Sequence, residues 1–106
     1  MSHWPMAVLD DRACLVLANL ELYRLLGLSA EEAEGKDFFR LTEGVLEGTD
    51  LRDRLESALK RGEDFQSTPF VLRDERGRER SLFVQGRIVP QHRQRPYRIL
   101  LSFQGE

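Results

Sequence analysis

Apolar and polar residues repeat with different periods along this chain, and each change of period marks an element. Met6-Ala7-Val8-Leu9 and Cys14-Leu15-Val16-Leu17-Ala18 are two nearly continuous apolar runs separated by a polar turn at Asp11-Arg12. Runs of this length predict two short strands covered on at least one face. Asn19 follows, a residue whose side-chain oxygen can accept from the free amides of a first helical turn. Leu22, Leu25 and Leu26 then share one helical face, and Gly27 suits the left-handed position past a helix end, so a helix is expected over Leu20–Leu26. Ser29 and Glu32 have the spacing of a capping box that opens a second small helix, closed by Gly35.

From Lys36 to Thr49 the pattern weakens. Phe38, Phe39 and Leu41 can anchor the segment, and Glu43 to Gly48 is expected to be a flexible connection. Thr49 or Asp50 can cap the next helix, where Leu51, Leu55, Ala58 and Leu59 follow the i, i+4, i+7, i+8 rule until Gly62. Beyond Gly62 the period becomes two. Phe65–Arg73 makes a strand containing Pro69, which cannot donate to a ladder and so places the strand at an edge or a bulge. Asp74-Glu75-Arg76-Gly77 is a hairpin turn, and strands over 80–89 and 97–103 flank a polar loop over 90–96.

Alternation sorts the faces of those last two strands. Leu82, Val84, Gly86 and Ile88 point one way on the first, and Tyr97, Ile99, Leu101 and Phe103 point one way on the second; both sets are assigned to the helix-covered side. The opposite side carries Phe83, Gln85, Arg87, Val89, Arg98, Leu100 and Ser102, which is too apolar for a fully solvated face. Something is expected to cover it, either the N-terminal segment with Trp4 or another subunit. The assembled order is an α+β arrangement: a five-stranded antiparallel sheet with short helices packed on one face.

With 106 residues, 41% of them hydrophobic, the chain suits one domain with one core, expected over 6–106 with 1–5 as a flanking segment. A net charge of -2 gives no general attraction to nucleic acid or an anionic membrane, and no partner of either kind is expected. No apolar run approaches the roughly 18 to 20 residues of a membrane span, and the N-terminus lacks the pattern of a signal peptide. The single cysteine, Cys14, excludes an internal disulfide, so a cytoplasmic location is expected.

The ordered set of apolar strand, Asp-containing turn, second strand, Asn19, then Leu25-Leu26-Gly27-Leu28-Ser29-Ala30-Glu31-Glu32 and Gly35 resembles the PAS domains. These are small sensory and interaction modules of signalling proteins. Gly62 to Phe65, the hairpin around 74–77, the strand ending at Pro90 and the final strand continue the resemblance over nearly the whole chain from Met6. It implies a PAS-like fold and a sensory or dimerisation role, with a homodimer and an effector domain such as a sensor histidine kinase or a cyclic-nucleotide signalling enzyme as partners. Haem-binding members usually present a histidine from the helix that here spans 50–61, which has none. The photoactive flavin class carries a cysteine near the position of Lys36 to Arg40, where this chain has none. Haem and photoactive flavin are therefore not expected, whereas a non-covalent apolar ligand or flavin stays open.

Catalytic constellations are sparse. His3, His92 and Cys14 do not offer the three or four ligands of a zinc site, and no base lies at a persuasive spacing from Ser81, Ser102 or Cys14. Cys14 is expected to be a small buried hydrophobe. The glycines fall singly at helix ends and turns, except Gly86, which inside a strand marks a bulge, a close approach, or room for a ligand. Leu17, Phe38, Leu51, Leu55, Val84, Gly86, Ile99 and Leu101 are the expected walls of an interior that is either a closed core or an apolar cavity. Trp4, Phe83 and Leu100 are the candidate dimer contacts, Trp4 having folding back over the core as its other role. The competing function is a small enzyme, or a carrier of an apolar molecule, on a similar curved sheet.

Overall fold

A computed structural model describes residues 4–43, 46–47, 51–73, 76–90 and 97–105. Strands β1 (Met6–Leu9) and β2 (Leu15–Ala18) lead into helices α1 (Leu20–Leu26), α2 (Ala30–Ala33) and α3 (Phe38–Leu41). A two-residue strand β3 (Leu46–Glu47), helix α4 (Leu51–Arg61) and strands β4 (Phe65–Arg73), β5 (Glu79–Val89) and β6 (Arg98–Gly105) complete the chain. Every pairing is antiparallel, in the order β2-β1-β6-β5-β4-β3. The five expected strands are all present, and β3 adds a short rung at the outer edge of β4, within the segment expected to be a flexible connection. Helix α3 is likewise an element that the weak pattern around Phe38 did not specify.

The local rules explain the first half of the chain. Asn19 Oδ1 accepts from Leu22 N, and Gly27 closes α1 at φ 68. Ser29 and Glu32 satisfy each other's backbone in a complete capping box. The expected caps of α4, Thr49 and Asp50, lie outside the described residues. So do Asp74 and Glu75 of the expected hairpin turn, and most of the 90–96 loop. Between β1 and β2, Asp10 N donates to Cys14 O and encloses a three-residue loop, in which Ala13 N donates to Asp10 O and Ala13 takes φ 62. Glycine usually occupies that left-handed position, so Ala13 takes it at a steric cost, inside the turn that Asp11-Arg12 already marked in the sequence.

Leu9, Leu15, Leu22, Phe38, Leu55, Val84, Ile99, Leu101 and Phe103 form the centre of a single core between the sheet and the helices. The ring of Phe38 stacks on Phe103 with centroids 6.4 Å apart. Thr42, a buried polar residue, donates its hydroxyl to Phe38 O at 2.9 Å. Pro69 is accommodated as expected near an edge or a bulge: among the described residues β3 pairs with Val71 and Leu72 of β4, and the β4–β5 register shifts between Phe65 and Thr68. Past that bulge, Asp64 Oδ1 accepts from Ile88 N at 2.7 Å, replacing a missing strand partner.

One inward assignment is overturned by a bulge. Leu9 pairs with Leu15 but Val8 pairs with Leu17, so one extra residue of β2 intervenes and the alternation slips. A slip of one residue reverses the face of everything beyond it. Leu17 therefore lies on the outer side of the sheet with 53% of its surface exposed, and it is not an interior wall.

Candidate functional site

The two faces of the sheet are the places where chemistry or contact could occur. On the inner face, Phe38, Leu51, Leu55, Val84, Ile99 and Leu101 are all buried and belong to one cluster, with Gly86 buried among them. Gly86 pairs with Phe65 across the β4–β5 ladder, and the Phe65 ring lies over it. A Cβ added at Gly86 would stand 2.2 Å from Phe65 Cε1 and 2.8 Å from Ile99 Cδ1. The room that a glycine leaves in a strand is thus occupied by an aromatic ring from the neighbouring strand. Sequence reasoning missed Phe65 because its relation to Gly86 depends on a register that includes a bulge. Among the described residues, no buried side-chain nitrogen or oxygen lacks a hydrogen-bond partner. The inner face consequently presents no unpaired polar group there to orient a ligand.

Tyr97 was expected on the inward set and lies on the helix side, but at 44% exposure it is no core residue. Its ring instead covers Gly62, the left-handed residue that ends α4, with Cε2 2.7 Å from the position of a Gly62 Cβ. Between Tyr97, α4 and the β1–β2 turn runs a groove of about 600 Å³. Its walls carry Arg52, stacked 4.5 Å above the Phe39 ring, together with Glu56, Lys60, Asp11 and Asp37. Another groove, of about 380 Å³, lies outside α4 beside Asp53, Glu63 and Asp64.

The outer face follows from the strand registers. Leu17 pairs with Val8, Val8 with Leu100, and Leu100 with Arg87, giving one row across four strands. The next row is Met6, Ser102 and Gln85, and the row after it is Gln104, Phe83 and Pro69. Two apolar patches result. One comprises Leu17, Val8, Leu100 and Met6; the other comprises Phe83, Pro69 and, two residues along β4, Val71. Met6 and Phe83 are 38% and 37% exposed. Scattered exposed apolar residues need no explanation, but contiguous ones mark contact surfaces.

Trp4 lies off this face. Pro5 O accepts from Phe103 N, Asn19 Nδ2 donates to Trp4 O at 2.8 Å, and the indole turns inward over Gly105 and toward Leu82. Trp4 therefore covers the open end of the core, the first of its two expected roles, and is separated from Phe83 and Leu100. Asn19 is the keystone of this arrangement, because its Oδ1 also accepts from Met6 N at 3.0 Å.

Cys14 is part-buried, with Sγ 4.0 Å from Arg12 O. Burial pushes its thiol pKa up, and the charges of Asp10 and Asp37 push it the same way. A thiol held protonated is a poor nucleophile. Among the described residues, no group of three or more His, Cys, Asp or Glu is placed to hold a metal, and no helix is long and apolar enough to cross a membrane.

No protein-family model matches the chain, and no curated protein is similar to it. Solved structures are. The PAS-B domain of Drosophila melanogaster Cycle with bound ethylene glycol aligns over 96% of this chain and 99% of its own, with TM-score 0.70 and 10% identity. The PAS domain of nitrogen regulation protein NR(II) from Vibrio parahaemolyticus aligns over 96% and 88%, with TM-score 0.67 and 19% identity. VqmA bound to DPO gives TM-score 0.77 at 14% identity, over 98% of this chain and 52% of that one. At these identities the likeness establishes architecture: the chain has the PAS fold.

Proposed function

We propose that this PAS-fold chain is a non-catalytic sensory and dimerisation module of a signalling protein, acting through packing of its outer sheet face. The observation that carries the proposal is the pair of apolar patches on that face, built by Leu17, Val8, Leu100 and Met6 and by Phe83, Pro69 and Val71. An apolar sheet face held at fixed register can report a change in the core, because core and face share the same strands. A histidine kinase or a cyclic-nucleotide signalling enzyme would supply the output. Sedimentation over a concentration series tests the contact: the wild type should self-associate, and Phe83→Glu should remain monomeric. A wild type that stays monomeric throughout, with Phe83→Glu of unchanged size, would remove the self-pairing function.

The competing role is a sensor that holds a small molecule between sheet and helices. Bound ethylene glycol in Cycle PAS-B and DPO in VqmA favour it by analogy. In this chain such a ligand would have to displace the Phe65 ring from Gly86. Native mass spectrometry of freshly purified protein decides between the two, since a retained ligand would show that the ring moves aside.

A further inference from the structure

The groove between α4 and the β1–β2 turn lies outside the core and away from the outer sheet face, so neither role described above uses it. Its volume of about 600 Å³ is that of a small-molecule site. Along its α4 wall, Arg52, Glu56 and Lys60 follow one another at one-turn spacing. Cation, carboxylate and cation therefore stand about 6 Å apart, in a row about 12 Å long. Leu59 and Tyr97 add apolar surface toward the far end, where the Tyr97 ring covers Gly62.

The charges of this row are placed without being neutralised. Stacking on the Phe39 ring at 4.5 Å holds the Arg52 guanidinium by its face and leaves open its edge, the part that grips a carboxylate. Glu56 precedes Lys60 by four residues, the order that favours an ion pair, yet among the described residues none of Arg52, Glu56 and Lys60 is in one. The opposite wall is braced and balanced in charge. Asp10 Oδ1 accepts from Arg12 N and Cys14 N, Phe38 N donates to Ala13 O, and the adjacent Asp11 and Arg12 offset each other. Asp37, at the Phe39 end, is committed to capping α3, where its Oδ1 accepts from Phe39 N. Walls already built in this way lose little entropy on receiving a ligand.

We infer that this groove binds a free α-amino acid with a large apolar side chain. The carboxylate lies in the fork of Arg52, the ammonium one turn on against Glu56, and the side chain continues past Leu59 to the Tyr97 ring. The order matches in both partners: carboxylate, ammonium and apolar chain are consecutive in the ligand, as Arg52, Glu56 and the pair Leu59 and Tyr97 are along the groove. Lys60 is the weaker claimant to the carboxylate, because no ring holds its ammonium and it has no planar fork. A ligand with a single charge would satisfy Arg52 or Glu56 and leave the other without a partner, so the row selects a dipolar molecule.

An NMR titration of the folded protein with L-phenylalanine tests this. An affinity of about 1 mM is what a ligand of that size draws from an open groove. Saturable amide shifts are expected at Arg12, Arg52, Glu56 and Tyr97, and none at Val84 and Ile99 of the interior or Phe83 of the outer face. Phenylalaninamide, which lacks the carboxylate, and 3-phenylpropanoate, which lacks the ammonium, should each bind at least about tenfold more weakly. Arg52→Gln and Glu56→Gln should weaken L-phenylalanine by a similar factor; both positions are exposed, and circular dichroism verifies that the variants fold. No saturable shift with L-phenylalanine or L-leucine up to about 20 mM would overturn the inference. Shifts centred on Val84 and Ile99 would place the ligand in the interior and refute the groove as its site. Analogues that bind as tightly as L-phenylalanine would refute the roles of Arg52 and Glu56. Each result reads the same whether or not the chain self-associates, so the groove and the outer face stand or fall separately.

Discussion

Replacing Gly86 by alanine measures whether the space over the sheet is full. A strand glycine ordinarily costs roughly 0.5–1 kcal/mol relative to alanine, so Gly86→Ala in open space should stabilise. Here the new methyl would stand 2.2 and 2.7 Å from two carbons of the Phe65 ring and 2.8 Å from Ile99 Cδ1, where ordinary contact is 3.4–4 Å. The ring must retreat by more than an ångström, and Ile99 is fully buried. Overpacking of this kind costs about 1–3 kcal/mol, which exceeds the gain and leaves a net loss of about 1–2 kcal/mol. In a domain of this size that corresponds to a fall in Tm of roughly 4–8 °C per kcal/mol. The sign should reverse once the ring is removed. In a Phe65→Ala background, Gly86→Ala should be neutral or stabilising by about 0.5–1 kcal/mol, so urea denaturation of the four proteins should give a coupling of about 2 kcal/mol. A stabilising Gly86→Ala in the wild type, with no coupling to Phe65, would refute the filled interior and restore a ligand-sized space.

Further outcomes follow from other contacts. Leu17→Ala should change stability by no more than about 0.5 kcal/mol, whereas Leu15→Ala two residues away should cost about 2–5 kcal/mol, and urea midpoints would expose a misplaced bulge by equalising the two. Asn19→Ala removes a helix cap and the anchors of Met6 and Trp4, with an expected loss of about 2 kcal/mol. Because Trp4 is the sole tryptophan, its emission should shift to the red in that variant, and an unchanged spectrum would sever the link between the two residues. Hydrogen bonds from the Ser29 backbone and side chain hold the Glu32 carboxyl below its usual range. The folded pKa is depressed, so the associated stability is present above the ordinary glutamate range and is lost as pH falls through the folded value. Ser29→Ala should raise the Glu32 pKa in an NMR titration, and an unmoved pKa would discount the capping box. Cys14 should alkylate more slowly than a free thiol near neutral pH and catch up after denaturation, since its raised pKa keeps it protonated.

Much of this fold was legible where local chemistry decides it. Asn19, Gly27, Ser29 with Glu32, and the apolar face of α4 each state their element within a few residues. The inward alternation of Leu82, Val84 and Gly86, and of Ile99, Leu101 and Phe103, was legible for the same reason. What was hidden depends on register. Leu17 faces out because of an extra residue in β2, which no periodicity within four residues can disclose. Phe65 finds Gly86 only through a ladder that contains another bulge, and Trp4 leaves the outer face because Asn19 turns the chain, a contact thirteen residues or more distant in sequence. Helix α3 and strand β3 are too short for their own pattern, and neighbouring backbone determines them.

The free side of β2 is closed off. Leu15 N donates to Lys36 O, Gly35 N donates to Leu15 O, and the Tyr23 hydroxyl receives the Ala18 amide. A passing extended chain finds these hydrogen-bonding positions already taken, so sheets of separate molecules cannot be joined there end to end into a growing fibre.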